Sequence, residues 1–569
     1  MKTWTFRQRR DGAPEPPNLA DASGVSPRLA SLLWRRNVRD TDEMRLFLSP
    51  MLRHLAMPTA WPGVGEAADL LMHGLTTGKR LAVWGDYDVD GVTATALVMQ
   101  VLRHHGFLVE WHLPDRLAEG YGLNVEHVER LAASGVGMLL TVDCGISDTA
   151  AIARARELGM EVVVSDHHLP PATLPPADVL CNPRLGDCPC ASLAGVGVAF
   201  FLMAEINSRL AALGRPRFDM RQTLDLVALG TLADMVSLEG QNRILVKNGL
   251  LKIAEARRPG VAELKVVSGY QPLAFLGAGQ VVFSLAPRLN AAGRMAHATL
   301  ALDLLCCDDH NRAAELARQL NDHNTERRRQ EEQIVEEARV QAEACLADPA
   351  LVLAGADWNQ GVIGIVASRM VERYNKPAVI LCADGETLKG SGRSVPSFDL
   401  HQGLSRCADL LVGYGGHRMA AGVRMEPSRL KEFRERFLSV ARAELGDTPA
   451  PSSLTLDGEL NFAAASDFTF LKELEMLQPF GVGNPEPVFA SPPLTVLGRK
   501  LFGSQRDHVD LELQDESCGT ILHAKAWRQA GVLPSSMTGK RLRLAYSPSI
   551  DMYNGIANVD IKIRDIELL

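Results

Sequence analysis

Between Leu81 and about Val236, short apolar runs alternate with amphipathic stretches. The segments LAVWGDY, FLVEWHLP, GMLLTVDCG, EVVVSDHH and DVLCNP read as strands. TATALVMQVLRHH, NVEHVERLAA, DTAAIARARELG and GVGVAFFLMAEINSRLAAL supply helical periodicity between them. This alternation predicts βαβ units and a largely parallel sheet, in which ligands gather beyond the carboxyl ends of the strands. The polar, Gly- and Pro-free stretch from about Asp309 to Ala347 predicts one long helix joining two domains. A second α/β region follows, with LVLAGADW and AVILCAD as strands around the helix GVIGIVASRMVERY. It closes near Leu445, before the Pro/Ser-rich linker GDTPAPSSL. From Leu454 onward, alternating runs such as HVDLELQ, TILHAKAW, KRLRLAYSP and ANVDIKIRDIEL predict an all-β barrel or small sandwich.

Length and composition narrow the class. The chain has 569 residues, 46% hydrophobic and 22% charged; at roughly 150 residues per domain it holds three or four domains. Its apolar runs read as too short to cross a bilayer, which takes about 20 residues. The N-terminal stretch has no apolar segment behind its basic residues, so a cytoplasmic protein is expected. Ten cysteines in a chain of this length do not make a disulfide scaffold, and Cys188 and Cys190 in GDCPC lack the second pair of a structural zinc site. The net charge of -8 argues against a uniformly basic surface without excluding a local basic site.

The chemistry concentrates at predicted strand ends. Asp86, Asp88 and Asp90 alternate in GDYDVDG after the first strand, Asp143 follows the third, and Asp166, His167 and His168 follow the fourth. Clustered carboxylates repel one another unless a cation sits among them, so a divalent metal site is expected. On an extended chain the three alternate acids project to one side. Carboxylates mixed with imidazole suit Mn²⁺ best, with Mg²⁺ possible. Two such ions are a common apparatus for splitting phosphate esters. A calcium loop fits poorly, because Leu97 stands where its twelfth-position glutamate belongs. His104 and His105, at a helix end, read as surface residues.

The strings GDYDVDG, TVDCGIS and SDHH, in this order and spacing, resemble the motifs of the DHH phosphoesterase superfamily. APRLNAAGRM (286–295), NQGVIGIVASR (359–369), GSGRS (390–394), GGHRMAAG (415–422) and FGVGNPEP (480–487) narrow the resemblance to the RecJ family of bacterial single-strand-specific exonucleases, from about residue 40 onward. The resemblance implies an N-terminal segment (1–45), a parallel-sheet DHH catalytic domain (46–308), the connecting helix (309–347), a DHHA1 substrate-binding domain (348–446) and an OB-like nucleic-acid-binding domain (447–569). It implies Asp86, Asp88, Asp143, His167 and Asp234 as ligands of two divalent ions, with Asp143 bridging. Asp90 and Asp166 would orient ligands, and His168 would stand at the scissile phosphate. Arg116, Ser391, Arg393 and His417 would contact substrate.

Family pyrophosphatases carry a histidine ligand four residues before the first acid. Here that position is Ala82, which follows the nuclease branch. The implied activity is 5′-to-3′ degradation of single-stranded DNA to 5′ mononucleotides in recombination and repair. A monomer is expected, working with a single-strand-binding protein and a RecQ-type helicase and away from membranes. Two other readings stand beside it: a phosphodiesterase of cyclic dinucleotides or short oligonucleotides, and a noncatalytic DNA-binding scaffold that has lost its metals. Lys525, Trp527, Arg541, Arg543 and Tyr546 are candidate DNA contacts of the last domain, each with an equally good structural role.

Overall fold

A computed structural model describes the chain except residues 1, 10, 17–18, 39, 117, 121, 447–452, 504, 532 and 554–555. The core of the linker GDTPAPSSL lies outside the described residues. The chain divides into two compact units, one of residues 56–236 and 240–450, the other of residues 1–55, 237–239 and 451–569.

The larger unit opens on a five-stranded sheet of β1 (Leu81–Trp84), β2 (Glu110–His112), β3 (Met138–Val142), β4 (Glu161–Ser165) and β5 (Val179–Cys181). Its order is β2-β1-β3-β4-β5 and every pairing is parallel, as the apolar runs predict. The helices are α1 (Val89–His104), α2 (Val125–Ala133), α3 (Thr149–Glu157), α4 (Gly195–Ala212) and α5 (Leu224–Ala233). Ala82, Trp84, Leu139, Val162 and Val164 share a core with Val128 of α2 and Ile152 of α3. The alternate positions Leu81, Val83, Leu140 and Val163 are buried as well, so both faces are covered, as a parallel sheet requires. Register places Val142 beside Ser165 and Ser165 beside Cys181, so Asp143 and Asp166 emerge side by side at the carboxyl edge.

Two expectations need correction. Helix α4 is long and apolar enough by composition to cross a membrane, yet 67% of it is buried inside the protein, where it packs on α1 and α5. His105 is buried rather than superficial, its Nε2 lying 3.0 Å from Asn207 Oδ1; His104 alone is exposed.

After α6 (Ala286–Met295), the predicted long helix is α7, His310–Glu343, capped by the Asp309 carboxylate, which accepts the Arg312 N–H at 2.7 Å. It packs against α6 and α8 (Ile363–Tyr374). A second sheet contains β6 (Leu351–Gly355), β7 (Ala378–Asp384), β8 (Thr387–Arg393), β9 (Gly413–His417) and β10 (Ala420–Met425), in the order β9-β10-β8-β7-β6.

In the smaller unit β11 (Leu494–Phe502), β12 (His508–Asp515), β13 (Ile521–Ala526), β14 (Arg541–Tyr553) and β15 (Ile556–Leu568) form one sheet, in which β13 pairs with β15 and β14 pairs with both β11 and β15. The ring closes into a barrel, which removes the free edges an open sheet would expose. The N-terminal strand Thr3–Phe6 pairs in parallel with Ser453–Leu456. Leu29, Leu33 and Met44 join the same core as Phe462, Leu511 and Tyr546.

Candidate metal centre and anion pocket

Asp86 lies in the turn after β1. Asp88 is the N-cap of α1, its Oδ1 accepting the N–H groups of Asp90 (2.8 Å) and Gly91 (3.2 Å), so its other oxygen is not needed for the cap. Asp90 is therefore in the first helical turn. The three acids do not project from an extended chain, as their spacing suggested; a strand end, a cap and a helical turn bring them together. Asp90 is buried, its Oδ2 accepting the Gly195 N–H at 2.7 Å and its Oδ1 the Val196 N–H at 2.9 Å. The first turn of α4 thus holds it as helix N-termini hold anions.

Asp143 follows β3 directly with φ 62°, a left-handed conformation uncommon outside glycine. Its Oδ1 lies 3.1 Å from His167 Nε2, which is also 3.6 Å from Asp234 Oδ2 and 3.8 Å from Asp90 Oδ2. Asp234 caps the C-terminus of α5. Asp86, Asp88 and Asp143 each offer an oxygen within 4.8 Å of the others; so, as ligand atoms, do Asp90, His167 and Asp234, and Asp143, His167 and His168.

Three glycines clear this space. A Cβ on Gly195 would sit 2.5 Å from Asp143 Oδ1, one on Gly230 2.7 Å from Asp90 Oδ1, and one on Gly91 2.5 Å from the Asp86 nitrogen. Asp166 works from behind. Its Oδ1 accepts the His167 and His168 N–H groups (2.7 and 3.1 Å) and meets His168 Nδ1 at 2.8 Å, while its Oδ2 accepts the Ile146 N–H at 2.9 Å. These bonds turn His168 Nε2 away from Asp166.

The electrostatics are those of a crowded anion cluster. Burial, then neighbouring carboxylates, push Asp86, Asp90 and Asp143 well above the usual carboxylate range. Burial and Asp88 push Asp234 up to about 7. Burial and the adjacent His168 hold His167 down to about 3. Burial would lower His168 too, but its hydrogen bond to Asp166 and the surrounding negative charge raise it to about 9. The buried Asp86 Oδ1 and His167 Nε2 take no hydrogen bond. A carboxylate-rich set with one borderline imidazole, short of hydrogen bonds and of positive charge, fits divalent cations such as Mn²⁺.

A cavity of ≈ 320 Å³ adjoins the cluster, lined by Arg116, Arg294, Lys389, Ser391 and Arg393, with Gly364 at the start of α8. That volume is at the low end for ligand sites, enough for a terminal phosphate and part of a nucleotide. The Arg116 guanidinium lies 5.0 Å from the ring centroid of Tyr87, between Asp86 and Asp88 in the chain. Arg294 donates to the Gly361 carbonyl at 2.8 Å and Arg393 to the Ser391 hydroxyl at 3.2 Å. Among the described residues no carboxylate pairs with Arg116, Arg294 or Arg393. Burial and the other guanidiniums push Arg294 down to about 9 and lower Arg393 also, crowding that an anion would relieve. Gly364 keeps the floor open, since a Cβ there would come within 3.0 Å of Ser391 Oγ.

The structure brings Arg116, Ser391 and Arg393 together as the motifs implied. It does not bring in His417, which is exposed at the end of β9, in register with Ala420 and, one strand further, Arg393. Arg294 escaped the sequence reading, although it lies in the Gly-containing end of APRLNAAGRM. In the barrel unit, Tyr546 is fully buried and donates to the Leu460 carbonyl at 2.8 Å. Lys525, Arg541 and Arg543 pair with Asp560, Glu516 and Glu459. Trp527 alone of those candidates is half exposed and unpaired with charge, packed edgewise with His508 at 4.7 Å and Phe502 at 5.4 Å.

Three family models match the chain: the DHH family N-terminal domain over residues 80–231, the DHHA1 domain over 347–443 and the RecJ OB domain over 456–565. The single-stranded-DNA-specific exonuclease RecJ of Escherichia coli (strain K12) is 35% identical over 564 residues, covering 95% of this chain and 96% of that protein. The RecJ of Bacillus subtilis (strain 168) is 33% identical over 557 residues, 96% of this chain and 69% of that protein. The crystal structure of RecJ from Thermus thermophilus in complex with Mn²⁺ superposes with a TM-score of 0.83 at 31% identity, covering 99% of this chain and 79% of that one. Its complex with Mg²⁺ gives 0.77 at 29%, covering 99% and 78%.

Proposed function

The chain belongs to the RecJ family of single-stranded-DNA-specific exonucleases, and we propose that its anion pocket receives the 5′ end of a DNA strand while the carboxylate cluster cleaves the phosphodiester that follows. The enzyme is a metal-dependent hydrolase of single-stranded DNA. The observation that carries the site assignment is the juxtaposition of the Asp86, Asp88, Asp143, His167 and Asp234 cluster with a pocket of three guanidiniums free of carboxylates.

Asp86, Asp88, Asp143, His167 and Asp234 would hold two divalent ions, Mn²⁺ by preference. Bound there, such ions supply the positive charge that lets water ionise near neutral pH and that offsets charge on a phosphoryl group in flight. The chain's own residues do the rest. Asp90, tied to the start of α4, stands 3.8 Å from His167 Nε2 and would orient that ring, and Asp166 fixes the ring of His168. His168, its Nδ1 held by Asp166 at 2.8 Å, would present an Nε2–H to the departing 3′ oxygen and deliver a proton to it. Arg116, Arg294, Ser391 and Arg393 grip the terminal phosphate, so the strand enters by its 5′ end and leaves as 5′ mononucleotides. Cleavage belongs to the DHH domain, 46–308, end recognition is shared with the DHHA1 domain, 348–446, and the barrel domain, 447–569, binds single-stranded DNA.

The enzyme binds single-stranded DNA. A RecQ-type helicase that unwinds duplex and a single-strand-binding protein are the partners such an activity calls for, in the cytoplasm, with the exonuclease acting as a monomer. The test is digestion of single strands labelled at either end. Mn²⁺-dependent loss of the 5′ label as mononucleotide, with blunt duplex spared, is expected; prior loss of the 3′ label, or equal attack on duplex, refutes the polarity or the strand preference.

A further inference from the structure

A second group of metal-ligating side chains lies outside the catalytic cluster. His112 ends β2, Glu119 lies in the following loop, and His127 is in the first turn of α2. His112 Nε2 is 3.0 Å and His127 Nδ1 3.2 Å from the same oxygen, Glu119 Oε2, and all three residues offer ligand atoms within 4.8 Å of one another. The edges of a tetrahedral zinc site with bonds of 2.0–2.1 Å are about 3.3 Å long, so the donors stand close to coordinating distance. They are not loose surface groups. The side chains are 24, 20 and 18% exposed in chain order, and the two imidazoles pack 4.2 Å apart, with His112 4.2 Å and His127 5.4 Å from the ring of Trp84.

We propose that His112, Glu119 and His127 form a zinc-type metal site that pins the Arg116 loop between β2 and α2. Two nitrogens and one carboxylate oxygen select a borderline cation such as Zn²⁺ over Mg²⁺ and leave a fourth position to water. Charge state agrees with the geometry. Burial pushes both imidazoles below their ordinary value, so they stand neutral, the form that binds metal. Burial would raise Glu119, but the hydrogen bond from His112 lowers it, so it stands ionised.

Without an ion, His127 Nδ1 also lies 3.1 Å from Asn124 Oδ1, and its Nε2 accepts from Arg130 at 2.6 Å. Coordination through Nδ1 moves the ring proton to Nε2 and displaces the exposed Arg130 side chain, so no net proton is released. His112 precedes and Glu119 and His127 follow Arg116, which lines the anion pocket, so an ion held by all three would fix the chain on both sides of that arginine. Zinc there tightens the grip on 5′-phosphorylated strands without entering the chemistry.

The test uses the full-length Asp143→Asn/His167→Asn protein, which takes a ligand from each of the three groups of the catalytic cluster, so that binding there is crippled. It is dialysed against buffered Zn²⁺, its metal is counted by emission spectrometry and its folding is followed by circular dichroism. One zinc per chain and a raised melting temperature are expected. His112→Phe/His127→Phe, which keeps rings against Trp84, should reduce bound zinc at least about tenfold. Glu119→Gln provides the reading where the double variant melts without cooperativity, and it too should lose most of the zinc. No zinc in the parent, or undiminished zinc in the folded variants, overturns the proposal. The outcome is independent of whether the protein degrades DNA.

Discussion

At the scale of single residues, the site depends on charge crowding that only cations relieve and on side chains that are absent. Asp143 sits among Asp86, Asp88, Asp90 and Asp234 in a backbone conformation that costs energy, and it offers an oxygen both to the Asp86–Asp88 group and to the His167–His168 group. Asp143→Ala should lower cleavage by about 10³-fold or more, given that metal ions supply several kcal/mol of transition-state stabilisation. Gel-shift binding of single strands should persist, and loss of binding together with cleavage would indicate misfolding instead. Gly195→Ala is predicted to act without touching substrate, by driving a methyl group into the Asp143 carboxylate. Mn²⁺ content and cleavage should fall together while the circular-dichroism melt stays cooperative. Asp166→Asn weakens the hold on His168 and should reduce kcat by roughly 10 to 100-fold with little change in KM.

At the scale of elements, strand order and helix caps do the assembling. The carboxyl edges of β1, β3 and β4 are adjacent, so Asp86, Asp143 and His167 meet although their motifs lie far apart in the chain. The anion pocket is built differently, from the β2–α2 loop, the end of α6, the start of α8 and β8. Arg393→Ala should therefore affect binding of the end group rather than catalysis. Losing one charged hydrogen bond, about 1.5–3 kcal/mol, predicts a KM raised roughly 10 to 100-fold for 5′-phosphorylated strands. The preference over 5′-hydroxyl strands should shrink correspondingly; an unchanged ratio of the two KM values would remove Arg393 from the pocket's function.

The same scale shows where sequence reasoning stops. Asp86, Asp88, Asp143 and His167 were legible because acids or imidazoles directly after apolar runs have no packing explanation. Asp234 had no such signal, since a lone acid at a helix end is ordinarily a solvated cap, and only the family motif indicated it. Arg294 and the three glycines gave no local cue, because what they avoid or approach is far away along the chain. Asp90 was legible as an acid, and the family motif implied that it orients ligands, but its anchoring by the Gly195 and Val196 amides was not legible.

For the whole molecule, the first 55 residues belong physically with the C-terminal stretch 451–569. Asp457 is buried and accepts from Arg7 at 2.9 Å and from Arg36 at 3.0 Å. Asp457→Ala strands a buried guanidinium and should cost about 3–5 kcal/mol in the unfolding of that unit, measured by denaturant titration of the full chain. Deleting residues 1–45 should expose the core around Phe462 and Leu511, so limited proteolysis would attack the barrel before the larger unit. Initial cleavage within residues 56–236 would contradict this.

The sequence by itself determined the parallel α/β sheet, the long helix, the all-β final domain and a metal-dependent phosphoesterase chemistry. These follow from local periodicity and from acids placed where packing cannot explain them. Tertiary structure alone decided that Asp90 is a helical residue held by α4, that Arg294 joins Arg116 and Arg393, that His417 stands outside their pocket, and that the N-terminal segment completes the barrel's core. Each of these depends on which distant segments meet, a matter settled by strand register and side-chain burial across the fold.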